Sequence, residues 1–458
     1  MELKSLPVTL LSGFCDTSKY ALIKKVAENT DNLKVLIFAC HLEKLHLDES
    51  KVEKKTDEQI TLKNKCLIVK LTDLFFEQLS DHVLSKEFDY CLLETNTYDD
   101  LEGMKEMFLT DLDAHDEEHE HTDECEHSET TMNQLAPISN IATVVDAATI
   151  VNDIRTEETL VDRFGEKVPG AENRHIPFLI VSQIEDAKII VINNAEKAEN
   201  IEEVQALIKK INGKAKVFTA KNCDISPKEL FGTELFSLTD SKSQVPSWLS
   251  EIKGEIKSET ISGISSFVYR RRKPFHTEKI YKFIYGSDYL NKESGVIRSR
   301  GLIWLCTRND DCCDWNHVAQ IAEITNAGKF FSSLDEEIIA DLEPEMVEEL
   351  KANCEGPHGD RRCDLLFIGK NMNQKEIEQK LDECLISDED LAKGPTHYET
   401  MCEDEFPEFE ELDHLLEDVS DDEEDEEEDK DADIDITSTP KRKRNDDSSK
   451  GAKKTKKD

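Results

Sequence analysis

The sequence predicts an α/β protein of the phosphate-loop type. A mostly parallel sheet flanked by helices should be followed by a smaller α+β domain and a disordered tail, acidic and then basic. Three observations carry this. Short apolar runs alternate with helical stretches through the first half of the chain, the pattern of a sheet wound by right-handed crossovers. The chain opens on a strand, a tight loop, a lysine and a helix. From Ser420 onward it almost lacks apolar side chains.

Residues 8–11 form the first apolar run, of the kind buried on both faces in a parallel sheet. A helix over 20–29 comes next, then runs at 33–39 and 65–71 that read as strands. A helix with Leu74, Phe75, Leu79, Val83 and Leu84 on one face precedes a strand at 89–94. Further strands are expected at 141–146, 188–193 and 217–220, the last after a helix at 201–211. Glu94 and Asp146 end two of these strands, where an open α/β sheet places its ligand crevice. The alternative is that both are solvated residues closing a strand.

The opening loop, Gly13-Phe-Cys-Asp-Thr-Ser18-Lys19-Tyr20, has the setting of a phosphate-binding loop, G-x-x-x-x-G-K-[ST]. Gly13 and Lys19 fit that pattern. Ser18 stands where the second glycine belongs, adding a Cβ at a cost on the order of 1 kcal/mol if positive φ is required. Tyr20 stands where a short hydroxyl holds Mg²⁺, and a phenol oxygen lies several bonds too far out. The shape of the motif is expected to survive and its chemistry to fail. An ordinary strand-turn-helix with a lysine is the alternative. Asn193-Asn194-Ala195-Glu196 sits where a GTPase of this layout carries N-K-x-D; Asn194 lacks the lysine stem and Glu196 is one methylene too long. Guanine selectivity is therefore in doubt.

Composition sets outer limits. A chain of 458 residues is long enough for two domains with tails. No stretch reaches the roughly 18 apolar residues of a membrane span, and no signal segment is evident, so an intracellular protein is expected. Its 13 cysteines are then thiols or metal ligands rather than disulfides. Residues 402–437 hold 21 acidic and one basic residue, and 438–458 nine basic and three acidic. Of the formal charge of −43, −29 thus belongs to residues 1–401, which argues against a nucleic-acid surface.

Between the two acidic strand ends lie His115, His119, His121, Cys125 and His127, interspersed with carboxylates. Imidazole and thiolate suit zinc, copper or nickel, and a mobile metal site of low specificity is expected here. The spacing fits no rigid tetrahedral frame, and a solvated acidic loop is the alternative. A lesser site from Cys40, His41 and Cys66 would need neighbouring strand ends to converge.

The first domain is taken as 1–236, with 115–127 as an insertion, and a linker-like stretch rich in Ser and Lys follows at 237–262. A second domain over 262–391 opens on a strand that runs into Arg270-Arg-Arg-Lys-Pro274, with a helix after the proline. It also carries Gly295-Val-Ile-Arg-Ser-Arg-Gly301 and Gly359-Asp-Arg-Arg362. Together with Thr143-Val-Val-Asp146 and Ser182-Gln-Ile-Glu185, these segments resemble the CobW family of GTPases, in particular its zinc metallochaperone branch. The resemblance runs from about residue 8 to about residue 391.

The resemblance implies a nucleotide site built on Gly13, Lys19, Glu94, Asp146 and Asn193, with GTP and Mg²⁺ as cofactors, and zinc passed to a client metalloprotein. Two departures weaken the nucleotide part of that implication: the altered loop and the altered guanine motif. A third concerns metal. The family's C-x-C-C motif is reduced here to Cys66-Leu-Ile-Val69, one thiol of three, and one cysteine builds no closed zinc site. The expected function is zinc handling with weak or lost GTP binding. The alternatives are a working GTP-dependent zinc chaperone with an unusual loop, and a non-catalytic interaction scaffold.

The tail, 420–458, has too little apolar surface to offset the entropy of ordering, and residues 406–419 form at most a short docking helix. Lys441-Arg-Lys-Arg444 and Lys453-Lys-Thr-Lys-Lys457 read as a bipartite signal for a nuclear import receptor, which predicts protein in both cytoplasm and nucleus. A solvated basic end folding back on the acidic run is the alternative.

Overall fold

The computed structural model describes residues 5–409 apart from 100, 111–130, 166–173, 232–234, 240–246, 255–258, 287–289, 291–292 and 343. The His-rich insertion 115–127 and the tail from 410 lie outside the described residues. Among the described residues, no helix is long and apolar enough to cross a membrane.

The N-terminal sheet is built from β1 (Val8–Ser12), β2 (Val35–Ala39), β3 (Val52–Lys55), β4 (Gln59–Leu62), β5 (Leu67–Lys70), β6 (Tyr90–Glu94), β7 (Ile138–Asp146), β8 (Ile189–Asn193) and β9 (Lys216–Thr219). They lie in the order β3-β4-β5-β2-β6-β1-β7-β8-β9. All neighbours from β5 to β9 pair parallel, and β3 and β4 add an antiparallel edge. The interior strands β1, β2 and β8 are buried at every residue, which is why each reads as a largely apolar run.

The apolar face expected for the helix near residue 80 is narrower than the pattern suggested. The helix spans Phe75–Ser85 and buries Phe75, Leu79 and Val83, while Leu74 and Leu84 face solvent. The first helix, α1, spans Asp16–Glu28 and so begins four residues before the expected start at 20.

The second sheet comprises β10 (Ile264–Arg271), β11 (Val296–Leu305), β12 (Arg308–Val318), β13 (Ile321–Lys329) and β14 (Cys363–Lys370). Its order is β10-β14-β11-β12-β13, antiparallel throughout. One face lies against helices Ile176–Asp186 and Ile201–Ile211 of the first domain: Ile264, Ile297, Val318, Leu366 and Ile368 share a single core with Ile184, Leu207 and Ile211. The other face is covered by helices Thr277–Tyr285 and Gln374–Asp382. That second core continues past 391 to Tyr398 and Phe406. Phe409 lies under the Arg308 guanidinium, 4.0 Å from its ring centre.

Candidate functional site

The parallel strands deliver their C-terminal ends to one edge of the first sheet, and the residues expected at a nucleotide site meet there. Gly13 follows β1 with φ +140°, and a Cβ on it would lie 2.3 Å from the Val144 carbonyl oxygen of the adjoining strand. Only glycine fits that approach. Lys19 is 1% exposed; its Nζ donates to the Thr95 carbonyl at 2.8 Å and lies 3.5 Å from Glu94 Oε1. Glu94 is fully buried and takes the Cys40 N–H on Oε2 at 2.9 Å. Burial pushes its carboxyl up, and Lys19 and that N–H only partly offset the rise.

The loop between Gly13 and Lys19 differs from a phosphate cradle. Such a cradle turns successive backbone N–H groups towards the anion. Here residues 16–18 are already helical, and the Lys19 N–H donates to the Cys15 carbonyl at 3.0 Å. With the loop glycine replaced, nothing stops the helix from propagating back towards the strand. Asp16 occupies its first turn, where a carboxylate complements the positive end of the helix. That carboxylate accepts from the Thr97 hydroxyl and lies 3.8 Å from Lys19 Nζ and 3.7 Å from Lys44 Nζ. The chain's own anion thus sits between the cations that would meet a phosphate.

The other site residues are also committed internally. Asn193 donates from Nδ2 to Ser18 Oγ at 2.9 Å and accepts the Cys223 N–H at 2.9 Å. Asp146 accepts from Asn194 Nδ2 at 2.7 Å and from the Cys15 thiol at 3.5 Å. Lys197 in turn donates to Asn194 Oδ1 at 2.9 Å. Tyr20 is buried with its ring edge-on to His41 and Lys44 Nζ 5.5 Å from the ring centre. Burial, together with Glu94 and Asp16, keeps its phenol protonated far above the usual range.

Residues 7–219 match the profile of the CobW/HypB/UreG nucleotide-binding domain, and residues 264–385 that of the cobalamin synthesis protein cobW C-terminal domain. The chain belongs to the CobW family. The zinc-regulated GTPase metalloprotein activator 1 of Dictyostelium discoideum is 26% identical over 418 residues, 87% of this chain and 83% of the relative. A zinc chaperone of Mycobacterium tuberculosis is 26% identical over 126 residues, 27% of this chain and 30% of its own length. The crystal structure of the Zn(II)-bound YjiA GTPase from E. coli aligns with 83% of this chain and 99% of its own, at 16% identity and a TM-score of 0.38.

Within this CobW fold the thiols expected to make a lesser metal site do not meet. β2 and β5 run parallel with Leu36 opposite Leu67 and Ala39 opposite Lys70. Cys66 therefore precedes β5 at one end of the sheet, and Cys40 and His41 follow β2 at the other. Five residue steps along the strand direction, about 16 Å, separate them. Cys66 is fully buried, its thiol pushed up to about 12 by burial, and Cys40 is likewise pushed up to about 12. A metal binds the thiolate, so neither is prepared as a ligand. Among the described residues, no three His, Cys, Asp or Glu side chains are grouped to hold a metal ion. His115, His119, His121, Cys125 and His127 fall outside the described residues.

Sequence reasoning missed Asp16, Thr95, Thr97 and Lys44. Asp16 had a signal, since a carboxylate inside an anion-binding loop has the wrong sign for the ligand. The two carbonyl and hydroxyl partners from the turn after β6 had none.

Proposed function

We propose that this CobW-family protein handles zinc for a client metalloprotein and has lost tight, Mg²⁺-dependent GTP binding. One observation carries the loss: α1 winds back to Asp16, so that the Lys19 N–H is used within the helix and Asp16 stands between Lys19 and Lys44. The residues present therefore do not fit a nucleoside triphosphate with its metal. Tyr20 supplies no short hydroxyl, and the Ser18 hydroxyl is engaged by Asn193. No step is assigned to GTP.

Zinc enters as cargo. The names of the Dictyostelium and mycobacterial relatives support this reading, and so does the insertion with four histidines and a cysteine within 115–127. The basic clusters 441–444 and 453–457 are proposed to engage a nuclear import receptor, giving protein in both cytoplasm and nucleus.

Calorimetric titration of the full chain with GTP, with and without Mg²⁺, tests the central claim. Little binding is expected up to roughly millimolar nucleotide, against the micromolar range of an intact loop. Micromolar, Mg²⁺-dependent binding would overturn it. For zinc, removal of 115–127 should lower the bound stoichiometry, and retention should weaken below the imidazole pKa of about 6.5. An unchanged stoichiometry would remove the insertion from the account.

A further inference from the structure

Two basic motifs that the nucleotide site leaves unused come together in the C-terminal domain. β10 pairs with β14 so that Arg270 lies opposite Asp364 and Arg271 opposite Cys363, which brings the cluster at 270–272 beside Arg362. Side chains alternate across a strand, so Arg270 and Arg271 leave β10 on opposite faces, and Arg272 follows the strand. Arg271 is paired off, forming two bonds of 2.7 Å to Asp382. Arg270, Arg272 and Arg362 border an open groove of about 780 Å³ whose opposite wall is helix Ser247–Lys253.

The groove combines charge with an apolar floor. Apart from Arg271, which Asp382 takes, the lining holds Lys253, Arg270, Arg272 and Arg362 beside two carboxylates, Glu355 and Asp364, so its cations outnumber its acids. Asp364 is shared, 2.7 Å from Arg362 Nε and 4.0 Å from Arg270 Nε. Arg272 gives its two terminal nitrogens to the Gly359 and Asn353 carbonyls and Nε to Glu355 at 2.8 Å; Glu355 is 73% exposed, so that last bond can pass to another carboxylate. The Arg270 side chain is half exposed. Trp248 and Leu302 supply apolar surface between the guanidinium groups. Trp248 is held in place by Arg300, 5.3 Å from its ring centre, and the helix by Arg270, which donates to the Ile252 carbonyl.

From this we infer that the groove docks a short acidic peptide segment of a partner protein, its carboxylates meeting the arginine forks and an apolar side chain resting on Trp248 and Leu302. Planar guanidinium groups pair bidentately with carboxylates, and arginine clusters beside an aromatic floor are a recurring mode of acidic-motif recognition. A cationic groove on a body carrying −29 selects for a partner of that sign. An enclosed pocket would suit a small anion better than this open one. The inference rests on the reading that the chain serves a client protein.

The test is fluorescence anisotropy with a labelled eight-residue peptide of Asp and Glu interrupted by Leu, titrated with the full chain in chelator and without nucleotide. Under those conditions it is independent of metal handling. Saturable binding is expected, weakened tenfold or more by Arg270→Ala with Arg272→Ala, and partly kept by the corresponding lysine variants. If the alanine pair does not fold, Lys253→Glu on the exposed edge should weaken binding at least threefold. Absence of saturable binding, or binding that the variants leave unchanged, would overturn the proposal. So would competition by inorganic phosphate at concentrations similar to the peptide, which marks a small-anion site. Neutralising residues 421–429 to Asn and Gln in the full chain should leave the affinity unchanged. A tenfold gain would assign the groove to the chain's own acidic run and sink the partner.

Discussion

Two buried cations, Lys19 and Arg298, sit in motifs of the same family and are held very differently. Arg298 is 3% exposed and reaches across the domain interface to Glu185, with bonds of 3.0 and 3.3 Å. Its remaining donors go to Asn316 Oδ1 at 2.5 Å and to the carbonyls of His317 and Ser299. Lys19 has one close partner, the Thr95 carbonyl, and two carboxylates at 3.5 and 3.8 Å. Glu94 Oε1 has no hydrogen bond at all. A fully satisfied pair is a structural clamp, while a loosely held cation beside an unsatisfied buried oxygen is what a ligand site looks like when its own side chains fill it. The difference separates the part of the fold that joins the domains from the part where the parallel strands end.

Breaking each cation in turn should give the largest contrast. Arg298→Leu leaves the largely buried Glu185 without its ion-pair partner and should lower unfolding free energy by about 2–4 kcal/mol in urea titrations of the full chain. Lys19→Met should cost only about 1–2 kcal/mol, because burial already pushes the Glu94 carboxyl up and it can take a proton when Lys19 is gone. Equal costs for the two variants would abolish the distinction.

The two regions should also respond to pH in opposite senses. His317 is fully buried beside Arg298, which holds its pKa near 3 through desolvation first and the guanidinium second. Its hydrogen bonds fix the neutral form: Nε2–H donates to the Ala319 carbonyl at 2.9 Å, and Ser299, which receives the Trp315 N–H, donates to Nδ1 at 3.0 Å. The unfolded chain takes up that proton near pH 6.5 and the folded one does not until about 3. Stability should therefore fall as the pH drops below 6.5, by roughly 1.4 kcal/mol per unit at most, reaching about 2–3 kcal/mol at pH 4.5. For Glu94 the sign reverses. Its folded pKa is raised, so its contribution is present below the ordinary carboxylate value and lost as pH rises through the folded one. His317→Gln should flatten the acid limb of the unfolding midpoint against pH, and a limb left as steep would place the loss elsewhere.

How far the sequence revealed these regions follows from burial. Strands β1, β2, β6 and β8 were legible because burial on both faces leaves an uninterrupted apolar run. The edge hairpin of β3 and β4 was not, since Val52–Lys55 is mostly exposed and rich in lysine, as an edge strand is. β12 and β13 escaped notice for a related reason: the buried positions of β12 are interrupted by Asp and Asn, and β13, at the sheet edge, buries only Ile324. Gly13, Lys19, Glu94, Asp146 and Asn193, the set the family resemblance implied, lie together because strand ends in this architecture converge by construction. The meeting of Glu185 with Arg298 was not legible, although both lie in motifs noted in the sequence. Nothing local specifies a contact between a helix and a strand 113 positions apart.

The smallest effect on stability should have the largest consequence for ligand. Asp16 is 43% exposed, so its contacts with Thr97, Lys19 and Lys44 are screened by solvent, and its charge at the helix N-terminus is worth about 0.3–1 kcal/mol. Asp16→Gly removes that charge and adds a helix-interior penalty of up to about 1 kcal/mol if the first turn stays helical. Both penalties push the same way, towards unwinding residues 16–18 and returning the Lys19 N–H to the loop. Lys19 and Lys44 then lose the anion that now stands between them. Calorimetry with GTP should show affinity raised tenfold or more over the native chain, still with little Mg²⁺ enhancement, because Tyr20 offers the metal no short hydroxyl. Adding Ser18→Gly and Tyr20→Thr should bring in the Mg²⁺ dependence. If Asp16→Gly binds nucleotide no better than the native chain, the carboxylate is not what fills the cradle, and the early start of α1 is set by Asn193 and Cys223 on its other side.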